Sequence, residues 1–148
     1  ARPYASLLRR LRGLPRAEQI EQVDRHFNQF PYVADYQGNV VRDVWLSPLS
    51  FLQTSGDCED YAIAKYFVLR LLGIPDEDLR ILIVRDTLRQ QGHAVLLVKT
   101  AERVAVLDNQ SQGHTLASLS HYLPLLAFNA RRSWRLDAKP IPTTSAGQ

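Results

Sequence analysis

The chain holds one cysteine, Cys58, in the run Gly56-Asp57-Cys58-Glu59-Asp60. A lone cysteine is ordinarily a small buried hydrophobe, but this setting argues for chemistry. Ser55-Gly56-Asp57 reads as a turn and a cap, and the residues that follow read as a helix, so the thiol stands at a helix start. There it faces the positive end of the helix dipole, which lowers its pKa and favours the nucleophilic thiolate. The first-turn amides have no partner inside the helix and can donate to an oxyanion forming on an attacked carbonyl. A thiol nucleophile needs a base, and the base needs a third group to orient it. Of the four histidines, only His93 stands at the start of a strongly apolar strand. His26, His114 and His121 read as surface or boundary residues. Asp108 ends the next strand. An even-length hairpin loop centred between Ala101 and Glu102 would place His93 opposite Gln110. Asp108 would then share its sheet face, one diagonal step and about 7–8 Å away between backbones. That is within reach of a histidine–carboxylate hydrogen bond, whereas an odd loop would put the two on opposite faces. Taken alone, Asp108 beside Asn109 also reads as a strand-ending turn.

Three acids surround the thiol. Asp57 can cap the helix by accepting from the amides of the next turn, and Glu59 and Asp60 sit in the first turn, where the dipole favours negative charge. Their spacing is not an EF-hand loop, and three carboxylates on one turn are by themselves a weak metal signal.

These residues need elements to hold them. Residues 4–12, with Tyr4, Leu7, Leu8 and Leu11 among arginines, read as a short amphipathic helix. A second helix follows Pro15, with Ile20, Val23, Phe27 and Phe30 at helical spacing. Residues 31–47 contain Gly38, Asn39 and Pro31 and read as an irregular stretch, closed by Pro48, that packs through Tyr32, Tyr36 and Trp45. The segment from Asp57 to Leu72 is apolar nearly all round and reads as a central buried helix, ended by Gly73 and Pro75. Strands are expected at Leu79–Val84, His93–Val98 and Val104–Asp108, with a fourth at Ser133–Leu136. The stretch Leu116–Phe128 is expected to contain a short helix. Helices first and then an antiparallel sheet give an α+β fold. The chain reads as a single domain over 1–148, with a loose tail at about 138–148.

With 148 residues, 45% apolar and 22% charged, the composition is that of an ordinary globular domain. A formal charge of +3 is too small to argue for nucleic acid, and no zinc-finger, RRM or phosphate-loop motif supports that reading. Arg9, Arg10, Arg12 and Arg16 near the start, and Arg131, Arg132 and Arg135 near the end, read as solvated surface. They would also suit an acidic partner or an anionic membrane surface. One cysteine excludes an intramolecular disulfide. No apolar run approaches the ~20 residues of a membrane helix. The chain begins at Ala1 and lacks methionine, which suggests a processed form whose targeting segment is not visible.

Several blocks taken together resemble a known family. They are Trp45-Leu46-Ser47-Pro48, then GDCEDYAIAKY from Gly56 to Tyr66, Leu72-Gly73-Ile74-Pro75, His93-Ala94-Val95-Leu96 and Val106-Leu107-Asp108-Asn109. In order and spacing they look like the bacterial transglutaminase-like cysteine proteinases of the LapG type, over about residues 20–136. The resemblance implies a papain-like or transglutaminase-like core, with a central buried helix packed on an antiparallel sheet. It implies a Cys58–His93–Asp108 triad in a periplasmic, calcium-dependent endopeptidase. Such an enzyme cuts the N-terminal region of a large surface adhesin, releasing cells from a biofilm, and is sequestered by a membrane-bound cyclic-di-GMP receptor. It also turns Asp57, Glu59 and Asp60 towards a Ca2+ site, completed by carbonyls or waters, with the loop containing Asp43 as one source. Trp45 and Gln53 become candidates for completing the oxyanion hole, although Trp45 alone reads as core.

Two other functions fit parts of the pattern. The same triad could pass the acyl group to an amine, as a transglutaminase-like acyltransferase does. An inactive, calcium-loaded binding module would use the acids but would not need the complete Cys–His–Asp set.

Overall fold

The computed structural model describes residues 4–29, 58–110 and 120–135. Helix α1 (Ala5–Leu11) buries Leu7, Leu8 and Leu11 and turns Arg9 and Arg10 to solvent. Helix α2 (Arg16–Asn28) begins directly after Pro15, whose fixed φ suits a helix entry. Its apolar stripe, Ile20, Val23 and Phe27, is buried. Arg16 ties its first turn to Asp78 by a 2.9 Å ion pair. The other basic residues near both ends that are described, Arg9, Arg10, Arg12, Arg131, Arg132 and Arg135, are exposed.

Helix α3 (Cys58–Leu71) follows the expected course. Tyr61 to Tyr66, Val68 and Leu69 are buried. Two positions break the apolar pattern in opposite senses: Leu71 is 53% exposed, and Lys65 is 0% exposed. The helix ends in a Schellman motif. The Ile74 amide donates to the Leu69 carbonyl at 3.1 Å and the Gly73 amide to the Arg70 carbonyl at 3.0 Å. Gly73 has φ +101, a conformation that side chains with a Cβ rarely adopt. A 3-10 turn (Asp76–Asp78) leads into the sheet.

The sheet has five antiparallel strands in the order β3-β2-β1-β4-β5. These are β1 (Leu79–Asp86), β2 (Gln91–Lys99), β3 (Val104–Leu107), β4 (Tyr122–Phe128) and β5 (Ser133–Arg135). Strand alternation divides the core. Leu79, Ile81 and Ile83 of β1, with Ala94, Leu96 and Val98 of β2, join the helices in the main cluster. Leu82, Val84, Val95, Val104, Val106, Tyr122 and Ala127 form a second cluster on the other face. Helix α3 packs on β2 and β1, and α2 packs on α3.

The expectation of a short helix within Leu116–Phe128 can be compared with the structure only from Ser120 onward. The described part of Leu116–Phe128 contains no helix: Ser120 and His121 form a turn and Tyr122–Phe128 is strand β4. A short apolar run such as Leu123–Phe128 fits a helix and a buried strand equally well by periodicity. The open edge of β1 decides in favour of the strand. Pro124 is accommodated because the register with β1 slips between Ile83 and Val84, where β4 carries an extra residue, and because β5 pairs only from Leu126 onward. Phe30, the stretch 31–47 with its aromatic residues, residues 116–119, Leu136 and the tail at 138–148 lie outside the described residues.

Candidate active site

Cys58 is the first residue of α3, with Glu59 and Asp60 in the first turn. His93 is the third residue of β2 and pairs with Val84 of β1. Asp108 directly follows β3. Of the two turn parities open in the sequence, the β2–β3 connection has the even one. Lys99 pairs with Val104, and the Thr100 amide and hydroxyl both donate to the Arg103 carbonyl at 2.8 Å. Leu96 pairs with Leu107, and the same register carried onward sets His93 across from Gln110.

The result is a buried pair. His93 is 1% and Asp108 0% exposed, and His93 Nε2 donates to Asp108 Oδ1 at 2.7 Å. The same oxygen accepts from the Gln110 amide at 3.0 Å, and Oδ2 accepts from the Tyr122 hydroxyl at 2.7 Å. Burial pushes the Asp108 carboxyl up. The His93 hydrogen bond and charge outweigh it, helped by the Gln110 amide and Tyr122, so its pKa lies below the ordinary carboxylate value. Burial, and then the carboxylate it serves, push the Tyr122 hydroxyl up, so it remains a protonated donor. Its ring lies 5.5 Å from that of His93. Asp108 is therefore a charged acceptor whose two oxygens are both engaged, and it fixes one edge of the imidazole.

Further residues support Asp108 from outside. The Asn28 amide, at the end of α2, donates to the Asp108 carbonyl at 3.0 Å. Asn28 in turn accepts from the buried Lys65 ammonium at 2.6 Å, which also reaches Asp24 at 2.8 Å. On the β1–β2 turn, Arg89 bonds Asp86 at 3.0 Å and Gln110 Oε1 at 2.8 Å. Sequence reasoning missed Tyr122, Lys65, Asp24 and Asn28. Lys65 had left a signal, as a charged residue inside an otherwise apolar helix. Tyr122 had left none, because no strand is expected in the mixed stretch Leu116–Phe128. Of the histidines set aside, the two described, His26 and His121, are half-buried. The His26 ring packs edge-on to Phe27 at 5.0 Å, and the His121 carbonyl accepts from Thr87.

Glu59 and Asp60 are half-buried at the start of α3. Carboxylate oxygens suit a hard cation such as calcium. Among the described residues no group of three side chains could hold a metal ion. Two acids on one turn fit such an ion only if further oxygens complete the shell. Asp57, Asp43, Trp45, Gln53 and His114 lie outside the described residues.

A helix opened by the chain's one cysteine, packed on an antiparallel sheet that carries a buried histidine–aspartate pair, defines a cysteine proteinase of α+β architecture. The family model described as bacterial transglutaminase-like cysteine proteinase matches residues 11–133, and the chain belongs to that family. Solved structures agree. Legionella pneumophila LapG is 33% identical, with a TM-score of 0.70 over 93% of this chain and 76% of that one. Its EGTA-treated form gives 33% and 0.70, covering 90% and 74%. Its calcium-bound form gives 31% and 0.69, covering 97% and 82%. The fold is thus transglutaminase-like. No curated protein matches the chain. Among the described residues no helix is long and apolar enough to cross a membrane.

Proposed function

We propose that this chain is a calcium-dependent cysteine endopeptidase in which Cys58 is the nucleophile, His93 the base and Asp108 the residue that orients His93. The observation that carries the reading is the buried 2.7 Å hydrogen bond from His93 Nε2 to Asp108. It commits one ring nitrogen to the carboxylate, so proton exchange with a thiol falls to Nδ1. Cys58 stands at the start of α3, and α3 packs on β2, the strand that carries His93.

The steps follow from these groups. His93 Nδ1 takes the Cys58 proton, and the resulting imidazolium is stabilised by the Asp108 carboxylate. The thiolate sulfur attacks the scissile carbonyl, and amides at the start of α3 donate to the oxyanion. His93 then returns the proton to the leaving amine as the C–N bond breaks, which leaves a thioester. Water, deprotonated by His93, cleaves the thioester and restores the thiol. Trp45 or Gln53 completes the oxyanion site in this proposal.

Asp57, Glu59 and Asp60 would hold the calcium ion. Carboxylates beside a thiol favour its neutral form, and calcium, when bound, supplies the charge that offsets them. A calcium-bound structure of LapG supports this part of the reading.

The proposed substrate is the N-terminal region of a large cell-surface adhesin, cut in the periplasm to release cells from a biofilm. The proposed regulator is the periplasmic domain of a membrane-bound cyclic-di-GMP receptor. Both rest on likeness to the LapG-type proteinases. The test is incubation with an adhesin N-terminal fragment, with calcium and with chelator, for the wild type, Cys58→Ala and His93→Ala. Cleavage by the wild type alone, lost with chelator, is expected. Near-normal cleavage by Cys58→Ala would end the reading. Adding a primary amine and analysing the new terminus separates hydrolysis from acyl transfer.

A further inference from the structure

We infer that Lys65, with Asp24 and Asn28, is a positioning device for Asp108, and that the buried ammonium sets the direction of the Asn28 amide. The inference rests on the proposed role of the His93–Asp108 pair and extends it to three residues on two helices.

Lys65 is fully buried and Asp24 is 5% exposed. The ammonium donates to Asp24 Oδ1 at 2.8 Å and to Asn28 Oδ1 at 2.6 Å, and lies 5.9 Å from the centre of the Tyr61 ring. The Asn28 amide nitrogen donates to Asp24 Oδ1 at 3.2 Å and to the Asp108 carbonyl at 3.0 Å. The chemistry of these groups allows one arrangement. An ammonium only donates, so the Asn28 oxygen must face it. That choice turns the NH2 towards the Asp108 carbonyl. Were the amide reversed, two oxygens would meet at Asp108 and two donors would meet at Lys65.

The location matches this role. Asp24 and Asn28 are one turn apart on α2, Lys65 is on α3, and Asp108 directly follows β3. Lys65 is seven residues, two turns, beyond Cys58 on the same helix, so it lies on nearly the same side. The cluster thus ties the helix that opens with Cys58 to the chain segment that carries Asp108. It acts on the main chain of Asp108, while Tyr122 and His93 act on its carboxylate. A buried ion pair of this kind gives little net stability against an apolar replacement, because desolvation offsets the attraction. A fixed position for Asp108 is what the arrangement supplies.

Three variants test it in the full chain in calcium buffer: Asn28→Ala, Lys65→Met, and the double variant Asp24→Asn/Lys65→Met, which leaves no unpaired buried charge. Three readouts apply to each: the NMR resonance of the His93 Nε2 proton, the rate of Cys58 alkylation by iodoacetamide, and the melting temperature. Asn28→Ala should shift the imidazole proton resonance upfield and slow alkylation roughly tenfold, since small displacements in such sites are costly. The double variant should do the same at a melting temperature near that of the wild type. If Lys65→Met fails to fold, the double variant decides. An unshifted imidazole resonance with unchanged alkylation, in folded Asn28→Ala and in the double variant, would overturn the inference and leave the cluster purely structural. The resonance reads the His93–Asp108 contact directly, so this result is independent of whether the adhesin fragment is cleaved.

Discussion

At the Asp108 carboxylate the structure gathers donors from three parts of the chain: His93 on β2, the Gln110 amide just beyond β3, and the Tyr122 hydroxyl on β4. The acceptor and the Tyr122 donor each have an expected consequence. Asp108→Asn should lower kcat by roughly 10³-fold or more, because a neutral amide can present the wrong partner to the imidazole and cannot stabilise its charged form. Tyr122→Phe removes one hydrogen bond to a charged group, about 1.5–3 kcal/mol, and should lower the rate by roughly 10-fold to 100-fold. Steady-state cleavage assays check both. The lowered pKa of Asp108 also has a sign for stability. A carboxyl whose pKa is depressed on folding contributes stability that is present above its unfolded value of ~3.9 and is lost as pH falls through the lower folded value. Melting temperature should therefore fall more steeply below pH ~4 in the wild type than in Asp108→Asn. Parallel acid limbs would show that the hydrogen bonds at Asp108 do not favour its charged form.

Helix α3 is closed by a Schellman turn at Gly73. Gly73 has φ +101, and a Cβ added there would meet no atom within 4 Å. The cost of Gly73→Ala is thus backbone strain alone, about 1–2 kcal/mol. For a chain of this size that lowers the melting temperature by roughly 2–8 °C. Activity per folded molecule should not change, because the Schellman turn lies at the opposite end of the helix from Cys58. A large loss of specific activity at low temperature would mean that the helix end also sets the position of its start. Strand β4 shows a different balance. Its Pro124 would disfavour a central strand, but the bulge opposite Ile83 and Val84 and the short reach of β5 remove the conflict. This is how Tyr122 comes to face Asp108.

For the whole molecule, the proposed calcium ion links folding to the thiol. A ligand that binds only the folded state stabilises by about 2.7 kcal/mol at a hundredfold excess over Kd, equivalent to roughly 5–10 °C here. Chelator should lower the melting temperature by that order and slow alkylation of Cys58. Asp57→Ala and Glu59→Ala should weaken both responses together. If neither measurement responds to chelator, the three acids are a helix cap and the calcium proposal falls. The proposed receptor has a separate readout. If it covers the substrate groove, its periplasmic domain should slow Cys58 labelling at saturation. Unchanged labelling would point to another docking surface.

Local rules were enough for much of this. The 3.6-residue spacing of Ile20, Val23 and Phe27 placed α2, and the acids, apolar run and Gly73 bounded α3. Alternation and the even turn between Lys99 and Val104 set His93 and Asp108 on one face, because in a hairpin the loop length fixes the register. The motif blocks led to the family. Contacts between distant segments were decided by the tertiary structure. Tyr122 reaches Asp108 only because β1 offers an edge for β4, and that choice between strand and helix is not written in a short apolar run. Lys65 stands out in the sequence as a charged residue inside an otherwise apolar helix, but nothing local says where its ammonium goes. It is buried because Asp24 and Asn28, some forty residues earlier in the chain, arrive at the same place and supply the acceptors that burial of an ammonium requires.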